Sequence, residues 1–138
     1  MNTRASFKGQ IAVSKIQLEA ARRNIIVSIP FVEDSRYDMI LDINNKLYRT
    51  QVKYLNRLHV PDRGKGLVGL ELNITRPRKN RGSCTKPYLS SEIDLLLLYC
   101  PRIDKILALS SKYFHNKKTI RINLATPSAP MYYKKFIW

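Results

Sequence analysis

The chain has 138 residues, and its 25 Lys and Arg against 10 Asp and Glu give a formal net charge of +15 at pH 7. This length fits one domain with a buried core, and 44% hydrophobic with 25% charged residues is typical of a folded chain rather than a disordered one. So large an excess of cations favours nucleic acid as the partner, with an anionic membrane surface as the second choice.

The sequence also gives expectations about location and metal chemistry. The longest apolar run, residues 93–100, contains Asp94 and is far shorter than the roughly 20 residues of a membrane-spanning helix. Cys84 and Cys100 suit a reducing cytosol, and neither has a second Cys or His at zinc spacing. Residues 1–10 are polar and basic, unlike a signal segment. We therefore expect a cytosolic protein with no zinc site and no membrane partner.

The first part of the chain predicts a helix followed by a strand. Residues 9–23 carry apolar side chains at helical spacing on one side and polar ones on the other. Residues 24–31 form a β-branched run that Pro30 ends, which predicts the first strand. Glu33 and Asp34 follow in a loop, where we expect them to be solvated rather than bound to a metal.

Residues 36–53 predict a β-hairpin, because apolar and polar residues alternate on both sides of an Asn-Asn turn. Side chains alternate along a strand, so Gln51 and Lys53 share one face. Pairing outward from the turn places Asp38 opposite Gln51, at the distance of about 5 Å that facing residues have. A carboxylate, an amide and an ammonium therefore converge. The alternative is a cross-strand ion pair of Asp38 and Lys53 on an exposed face, which contributes less than about 1 kcal/mol.

The segment that follows the hairpin is strongly basic. Residues 54–66 predict a loop, and residues 67–74 predict a returning strand. Residues 76–86 hold five cations together with Pro and Gly, which predicts a flexible loop rather than helix or sheet. Arginine makes bidentate contacts to phosphate and to guanine edges, so we expect DNA contacts rather than a merely solvated loop. The candidate cations are Arg76, Arg78, Lys79, Arg81 and Lys86.

The last third of the chain predicts a buried strand and its neighbours. Residues 91–100 end in a run that is apolar on both faces, and residues 105–109 pair back after a turn. Residues 119–124 predict a final strand. We expect Asp94 to cap or pair rather than bind a metal, and His115 to be exposed rather than catalytic. The aromatic and basic tail is expected to pack on the domain, on a second subunit or on DNA.

Asp38 with Gln51, Val52 and Lys53 resembles the signature of the PD-(D/E)-XK nuclease superfamily, in its variant with Gln in place of the second acid. Over residues 8–124 the chain is similar to the small bacterial group I intron homing endonucleases of that superfamily. The resemblance implies an α/β (α+β) fold with a restriction-endonuclease-like core, in which helices flank a mixed central β-sheet. The motifs that carry it are Lys8-Gly9-Gln10-Ile11-Ala12, Ser28-Ile29-Pro30, Arg36-Tyr37-Asp38, Tyr48-Arg49-Thr50-Gln51-Val52-Lys53, Glu92-Ile93-Asp94 and Leu98-Tyr99-Cys100-Pro101.

The resemblance also implies a metal site. Asp38 would hold Mg²⁺, for which Mn²⁺ can substitute, because hard cations prefer oxygen ligands. The backbone carbonyl of Val52 would complete the protein ligands, with the amide oxygen of Gln51 contributing directly or through water. Lys53 would orient or help deprotonate the attacking water, or stabilise the pentacovalent phosphate.

The chain departs from its relatives at Gln10. In the relatives an acid, usually Glu, reaches the metal from the first turns of the helix, whereas Glu19 of this chain lies too far along. Either the amide of Gln10 fills this role, or metal binding depends more on Asp38, or the chain is an engineered inactive form in which Glu became Gln. The remaining alternative is that Gln10 is only a solvated residue at the start of the helix.

The expected function is that of a Mg²⁺-dependent, site-specific DNA endonuclease of the homing type in the bacterial cytosol, with one nuclease domain over residues 1–138 and no small-molecule substrate. Cutting both strands requires two centres in opposite orientation, so we expect a homodimer or homotetramer on a pseudo-palindromic target. The loop of residues 76–86 would read bases, while Lys8, Arg57 and the tail lysines would hold phosphates. The alternatives are a Holliday-junction resolvase and a non-catalytic DNA- or RNA-binding module.

Overall fold

A computed structural model of the chain describes residues 4–55, 57–58, 67–71, 73–78 and 82–138. The chain contains both helices and strands, as expected for an α/β fold. They are α1 (Ala5–Arg22), β1 (Ile26–Ser28), β2 (Met39–Ile43), β3 (Lys46–Tyr54), β4 (Arg57–Leu58), β5 (Leu67–Glu71), β6 (Asn73–Arg78), β7 (Gly82–Pro87), β8 (Leu95–Cys100), β9 (Lys105–Ser110), α2 (Ser111–Phe114), β10 (Thr119–Asn123) and a 3-10 helix (Tyr133–Lys135).

The centre of the fold is a five-stranded sheet in the order β1-β2-β3-β8-β9. Strands β3 and β8 run parallel, and the other neighbours run antiparallel. The chain leaves the sheet after β3, passes through β4 to β7, and returns as β8 in the same direction. The prediction of a mixed central sheet is therefore confirmed.

Helix α1 covers one face of this sheet. Ala12, Ile16 and Ala20 recur at intervals of four residues, so they lie on one side of the helix, and all three are fully buried. The helix begins at residue 5, earlier than the predicted start at residue 9. Its partners on the sheet are Met39, Leu41, Val52, Leu97 and Tyr99.

The opposite face of the sheet packs against the second half of the chain. Leu96, Leu98 and Cys100 point away from α1, because side chains alternate along β8. Strand β8 is thus buried on both faces, which confirms the prediction from its continuous apolar sequence. Phe114 and Phe136 complete this second cluster.

The β2–β3 hairpin has the predicted turn. Asn44 and Asn45 have φ values of 53° and 64°, and asparagine tolerates this left-handed region better than most residues do. The register pairs Ile43 with Lys46 and Met39 with Thr50. Strand β2 begins three residues later than predicted, so Asp38 precedes it and only its N–H joins the ladder, donating to the carbonyl of Thr50 at 2.9 Å.

The prediction of a flexible loop over residues 76–86 is wrong. Strands β6 and β7 pair antiparallel from Asn73 with Pro87 to Arg78 with Gly82. Backbone ladder bonds form without burial of side chains, so charge density does not exclude a hairpin. The predicted strand of residues 67–74 is divided between β5 and β6. Strand β4 lies within the predicted loop of residues 54–66, most of which falls outside the described residues.

The tail packs on the domain, as one of the three alternatives predicted. Phe136 is buried, and its carbonyl accepts a hydrogen bond from Ala108 of β9 at 2.7 Å. The N–H of Trp138 donates to the carbonyl of Ile106 at 2.9 Å, and the Arg23 guanidinium lies 4.4 Å from the centre of the Trp138 ring. Within the described ranges, no helix is both long and apolar enough to cross a membrane.

Candidate active site

The hairpin brings Asp38 to the outer end of β3. Oδ2 of Asp38 accepts two hydrogen bonds of 2.8 Å, one from Nε2 of Gln51 and one from the backbone N–H of Val52. Asp38 therefore faces Gln51, as predicted by pairing the two strands outward from the Asn-Asn turn. Gln51 is only 7% exposed, so this is not the solvated face that a surface ion pair would occupy.

The surroundings of Asp38 disfavour its negative charge. Burial raises the pKa of the Asp38 carboxyl, and this effect exceeds the opposing effects of the Val52 N–H and the Lys53 charge. A carboxyl with a raised pKa in a cleft is a mark of functional sites, because an arriving cation can stabilise the charged form. A positive ion in this cleft would stabilise the charged form of Asp38.

The first turns of α1 and the end of β3 enclose a cavity of about 470 Å³. Its walls include each of the four residues predicted to be catalytic, together with one of the cations predicted to bind DNA. These residues are Gln10, Asp38, Gln51, Lys53 and Lys8. The tertiary fold thus brings the helix residues to the hairpin, although they are far apart in sequence.

Gln10 is exposed and its Nε2 donates to Oγ of Ser14 at 3.2 Å. The amide therefore points along the helix, and its Oε1 is the atom that it can offer to the cleft. Glu19 forms ion pairs with Arg22 at 3.7 Å and with Arg23 at 3.1 Å, and it lines a separate cavity beside the tail. Glu19 does not replace an acid in the Asp38 cleft.

The donor set fits a hard divalent cation that keeps much of its water. In the described part of the chain, no three His, Cys, Asp or Glu side chains lie close enough together to hold one metal ion. Asp38 is the carboxylate of the cleft that could hold such a cation, and the two hydrogen bonds that it accepts from Gln51 and Val52 both go to Oδ2. Gln51 can offer Oε1, because its Nε2 is engaged by Asp38. One carboxylate with amide and carbonyl oxygens suits Mg²⁺, which retains several waters in protein sites.

The other predicted candidates lie away from this cleft. Asp94 pairs with Arg49, and pairing is one of the two contacts predicted for it. His115 is exposed, and its Nδ1 accepts the N–H of Ser90 at 2.8 Å. Glu33 and Asp34 are exposed in the loop after β1 and are absent from the cavity walls.

The predicted DNA-binding cations are spread over several elements. Lys8 lines the cleft, and Lys86 is exposed near the end of β7. Lys79 and Arg81 lie outside the described residues. The remaining three belong to β4 and β6, and they are Arg57, Arg76 and Arg78.

Three residues that the sequence did not single out as site residues form a connected group that reaches Lys53. The Lys53 ammonium lies 5.5 Å from the centre of the Tyr88 ring, and the Arg36 guanidinium lies 4.6 Å from the same centre. Glu92 pairs with Arg36. The available signal was the position of Arg36 two residues before Asp38, but nothing in the sequence linked it to Tyr88.

Comparison with known proteins bears on the fold and the family. No curated protein matches the sequence. Among solved structures, the fold is similar to that of a bacterial homing endonuclease, I-Ssp6803I, with a TM-score of 0.78 and 18% sequence identity, over 98% of this chain and 89% of that one. The family model described as PD-(D/E)XK endonuclease matches residues 1–131. The chain belongs to the PD-(D/E)XK endonuclease family.

Proposed function

We propose that this chain is a Mg²⁺-dependent endonuclease that hydrolyses phosphodiester bonds of duplex DNA at a defined site. The observation that carries the proposal is the meeting of Asp38, Gln51 and Lys53 with Gln10 in one cleft. Family membership supports phosphodiester hydrolysis, and the net charge of +15 supports a polyanionic substrate.

Each residue of the cleft has a distinct task in the proposed reaction. Asp38 and Gln51 hold the cation by their oxygens, with the Val52 carbonyl as a further ligand. Bound Mg²⁺, or Mn²⁺ in its place, supplies charge neutralisation at the phosphate and a more acidic water. Lys53 orients the attacking water and places a positive charge where the phosphoryl oxygens become more negative. Gln10 adds an amide oxygen at the helix side of the cleft.

The DNA would contact the protein at the cleft and beyond it. Lys8 lies in the cavity wall, where it can hold the phosphate next to the cleaved bond. The β6–β7 hairpin is a basic two-stranded ribbon, and the major groove of B-DNA admits such a ribbon. We assign base reading to this hairpin, with Arg76, Arg78 and Lys86 among its cations.

Cleavage of both strands needs two centres of opposite orientation. The described residues provide one such cleft in this chain, so the proposal includes a homodimer or homotetramer that acts on a pseudo-palindromic target. Intron homing in the bacterial cytosol is the proposed setting, supported by the likeness to a bacterial homing endonuclease. The nuclease domain would extend over residues 1–138.

The first experiment is cleavage of a plasmid library with random inserts, in Mg²⁺ and in Mn²⁺. The variants are Asp38→Asn, Lys53→Met and Gln10→Glu, and Asp94→Asn is the control because its carboxylate is paired with Arg49 outside the cleft. We expect the wild type and the control to cut at one discrete site, and Asp38→Asn and Lys53→Met to leave the library intact. Cutting by Gln10→Glu alone would identify an inactive form of the same enzyme.

A second candidate is a non-catalytic nucleic-acid-binding module, and the exposed amide of Gln10 in place of an acid favours it. Binding that is equally tight with and without Mg²⁺, with no cleavage by any variant, would select this candidate. The library experiment is repeated with four-way junctions, because preferential cutting of junctions would replace site-specific cleavage with junction resolution. If no variant cuts or binds DNA, the nuclease is excluded, and the binding module is then tested with RNA.

A further inference from the structure

Behind the cleft, two cations lie over one aromatic ring. The Nζ atom of Lys53 is 5.5 Å and the guanidinium carbon of Arg36 is 4.6 Å from the centre of the Tyr88 ring. Both distances are within the roughly 6 Å at which a cation is attracted by an aromatic face. The ring thus contacts the residue that the proposed chemistry needs most after Asp38.

The Tyr88 ring is held in place by its surroundings. Tyr88 is 1% exposed and packs in the apolar cluster beneath the central sheet. Its carbonyl accepts the N–H of Asn116 at 2.8 Å, and it directly follows the last residue of β7. A buried ring that is anchored at its backbone offers a fixed surface to a flexible lysine chain.

Arg36 is anchored with equal firmness. Its Nε donates to Oε2 of Glu92 at 2.5 Å, and its Nη2 donates to the carbonyl of Pro87 at 2.7 Å and to that of Lys86 at 3.4 Å. The Arg36 side chain is only 11% exposed. Glu92 balances its charge, which reduces the repulsion between the guanidinium and the Lys53 ammonium near the same ring.

This pair is not arranged for stability alone. Nη1 of Arg36 and Oε1 of Glu92 are buried, and neither has a hydrogen-bond partner in the described part of the chain. Buried polar atoms without partners are destabilising and call for an explanation in a native structure. We explain these atoms by the position of Arg36, which contacts both the Tyr88 ring and the base of the β6–β7 hairpin.

We propose that Tyr88 and Arg36 are positioning residues for Lys53, an inference that rests on the proposed role of Lys53 in cleavage. The Tyr88 ring restricts the Lys53 ammonium to the orientation that the reaction requires. Arg36 fixes the ring and the end of β7 relative to the segment that carries Asp38. The same contacts tie Lys53 to the base of the hairpin that we assign to DNA.

The test compares Tyr88→Phe, which keeps the ring, with Tyr88→Leu, which removes it. We expect the single-turnover cleavage rate at saturating protein to stay within about twofold for Tyr88→Phe and to fall about tenfold for Tyr88→Leu. The Kd for DNA without divalent metal should change less than about twofold in both variants, because Tyr88 is buried and holds no phosphate. Arg49→Met, which breaks an arginine–carboxylate pair outside the cleft, is the control and should retain the wild-type rate.

A structural role alone would not require the Tyr88 ring to lie over the Lys53 side chain in solution, and this contact can be measured. In protein labelled with ¹³C-lysine, the Lys53 ε-methylene protons should show an upfield ring-current shift in the wild type and in Tyr88→Phe, and should lose it in Tyr88→Leu. If Tyr88→Leu fails to fold by circular dichroism, Arg36→Gln takes its place, with the same loss of rate expected. A wild-type rate in the folded variant, or a wild type without the ring-current shift, overturns the inference.

Failure of the proposed function gives a different result. If the wild type cuts no DNA, the catalytic role of Lys53 is wrong, whereas the ring-current shift still decides whether Tyr88 orients the ammonium. A shift present in the wild type and in Tyr88→Phe, but absent in Tyr88→Leu, then supports the positioning contact without cleavage. Absence of the shift rejects the positioning contact.

Discussion

Two carboxylates hold the same strand in different ways. Asp38 accepts the backbone N–H of Val52 at 2.8 Å, and Asp94 accepts that of Arg49 at 2.9 Å, so both fasten β3. The second partner of Asp38 is the neutral amide of Gln51. The second partner of Asp94 is the Arg49 guanidinium, with Nε and Nη2 each at 2.9 Å from a carboxylate oxygen.

The difference in partners is visible in the pKa values. The hydrogen bonds from Arg49 lower the pKa of Asp94, whereas burial raises the pKa of Asp38. The charge of Asp94 is thus balanced by the guanidinium of Arg49, whereas the charge of Asp38 is offset only in part by the nearby charge of Lys53. Both acids accept a backbone N–H of the strand, so this contact does not distinguish a structural acid from a functional one. The charged partner of each acid does distinguish them.

The largest expected effect is that of Asp38→Asn on cleavage, with a loss of about 10³-fold or more, because the carboxylate for Mg²⁺ is removed. Stability at pH 7 should be unchanged or higher. Since the folded-state pKa is raised, ionisation of Asp38 costs stability as the pH rises through that pKa, and asparagine avoids this cost. Single-turnover cleavage and thermal unfolding between pH 4 and 8 measure both effects. A large loss of stability at pH 7 would contradict the comparison.

Lys53→Met should lower the single-turnover rate by about 10²-fold, within the range for a residue that assists proton transfer and charge stabilisation. DNA binding should weaken only slightly, because one charge in a total of +15 is lost. Lys118→Met is the matched control, since Lys118 is an exposed lysine that does not line the cleft and has no proposed role in DNA binding. It should have the same small effect on binding and leave the rate unchanged. Equal losses of rate in both variants would show that Lys53 acts only through binding.

Local sequence patterns were sufficient to predict the hairpin that carries the candidate site. The Asn-Asn turn sets its register, and that register places Asp38 opposite Gln51, as the hydrogen bond of 2.8 Å between them reflects. The continuous apolar run likewise identified β8 as buried on both faces. These features depend on residues close in sequence, for which turn chemistry and strand periodicity are strong constraints.

Contacts between segments that are distant in the chain could not be predicted from a single sequence. The pairing of Arg49 with Asp94 joins residues 45 positions apart, and Arg36 meets Glu92 across 56. Nothing in the local pattern favours one acid over another as the partner. The β6–β7 hairpin was missed for a different reason, because dense positive charge was taken to exclude strand pairing, although ladder bonds join backbone atoms.

Gln10→Glu should lower the Mg²⁺ concentration for half-maximal cleavage by about tenfold, because a second carboxylate in the cleft increases the charge available to the cation. Gln17→Glu is the control, since it adds the same charge to α1 at a residue that does not line the cavity. Cleavage measured over a range of Mg²⁺ concentrations separates the two. The same shift in both variants would mean that net charge, not a ligand, is responsible.

The smallest effect is expected for Asp94→Asn, which should reduce the free energy of unfolding by about 1 kcal/mol at pH 7. The value is modest because the Arg49 and Asp94 side chains are 37% and 35% exposed, so water screens the pair. Since the folded-state pKa of Asp94 is lowered, its contribution is present above the unfolded-state pKa and is lost as the pH falls through the folded-state pKa. Urea unfolding at pH 7 and at pH 3 should therefore show that the wild type and the variant differ less in their free energy of unfolding at pH 3. For Asp38→Asn, the same two measurements should show no decrease in the free energy of unfolding at pH 7. A decrease as large as that of Asp94→Asn would mean that both acids contribute equally to stability.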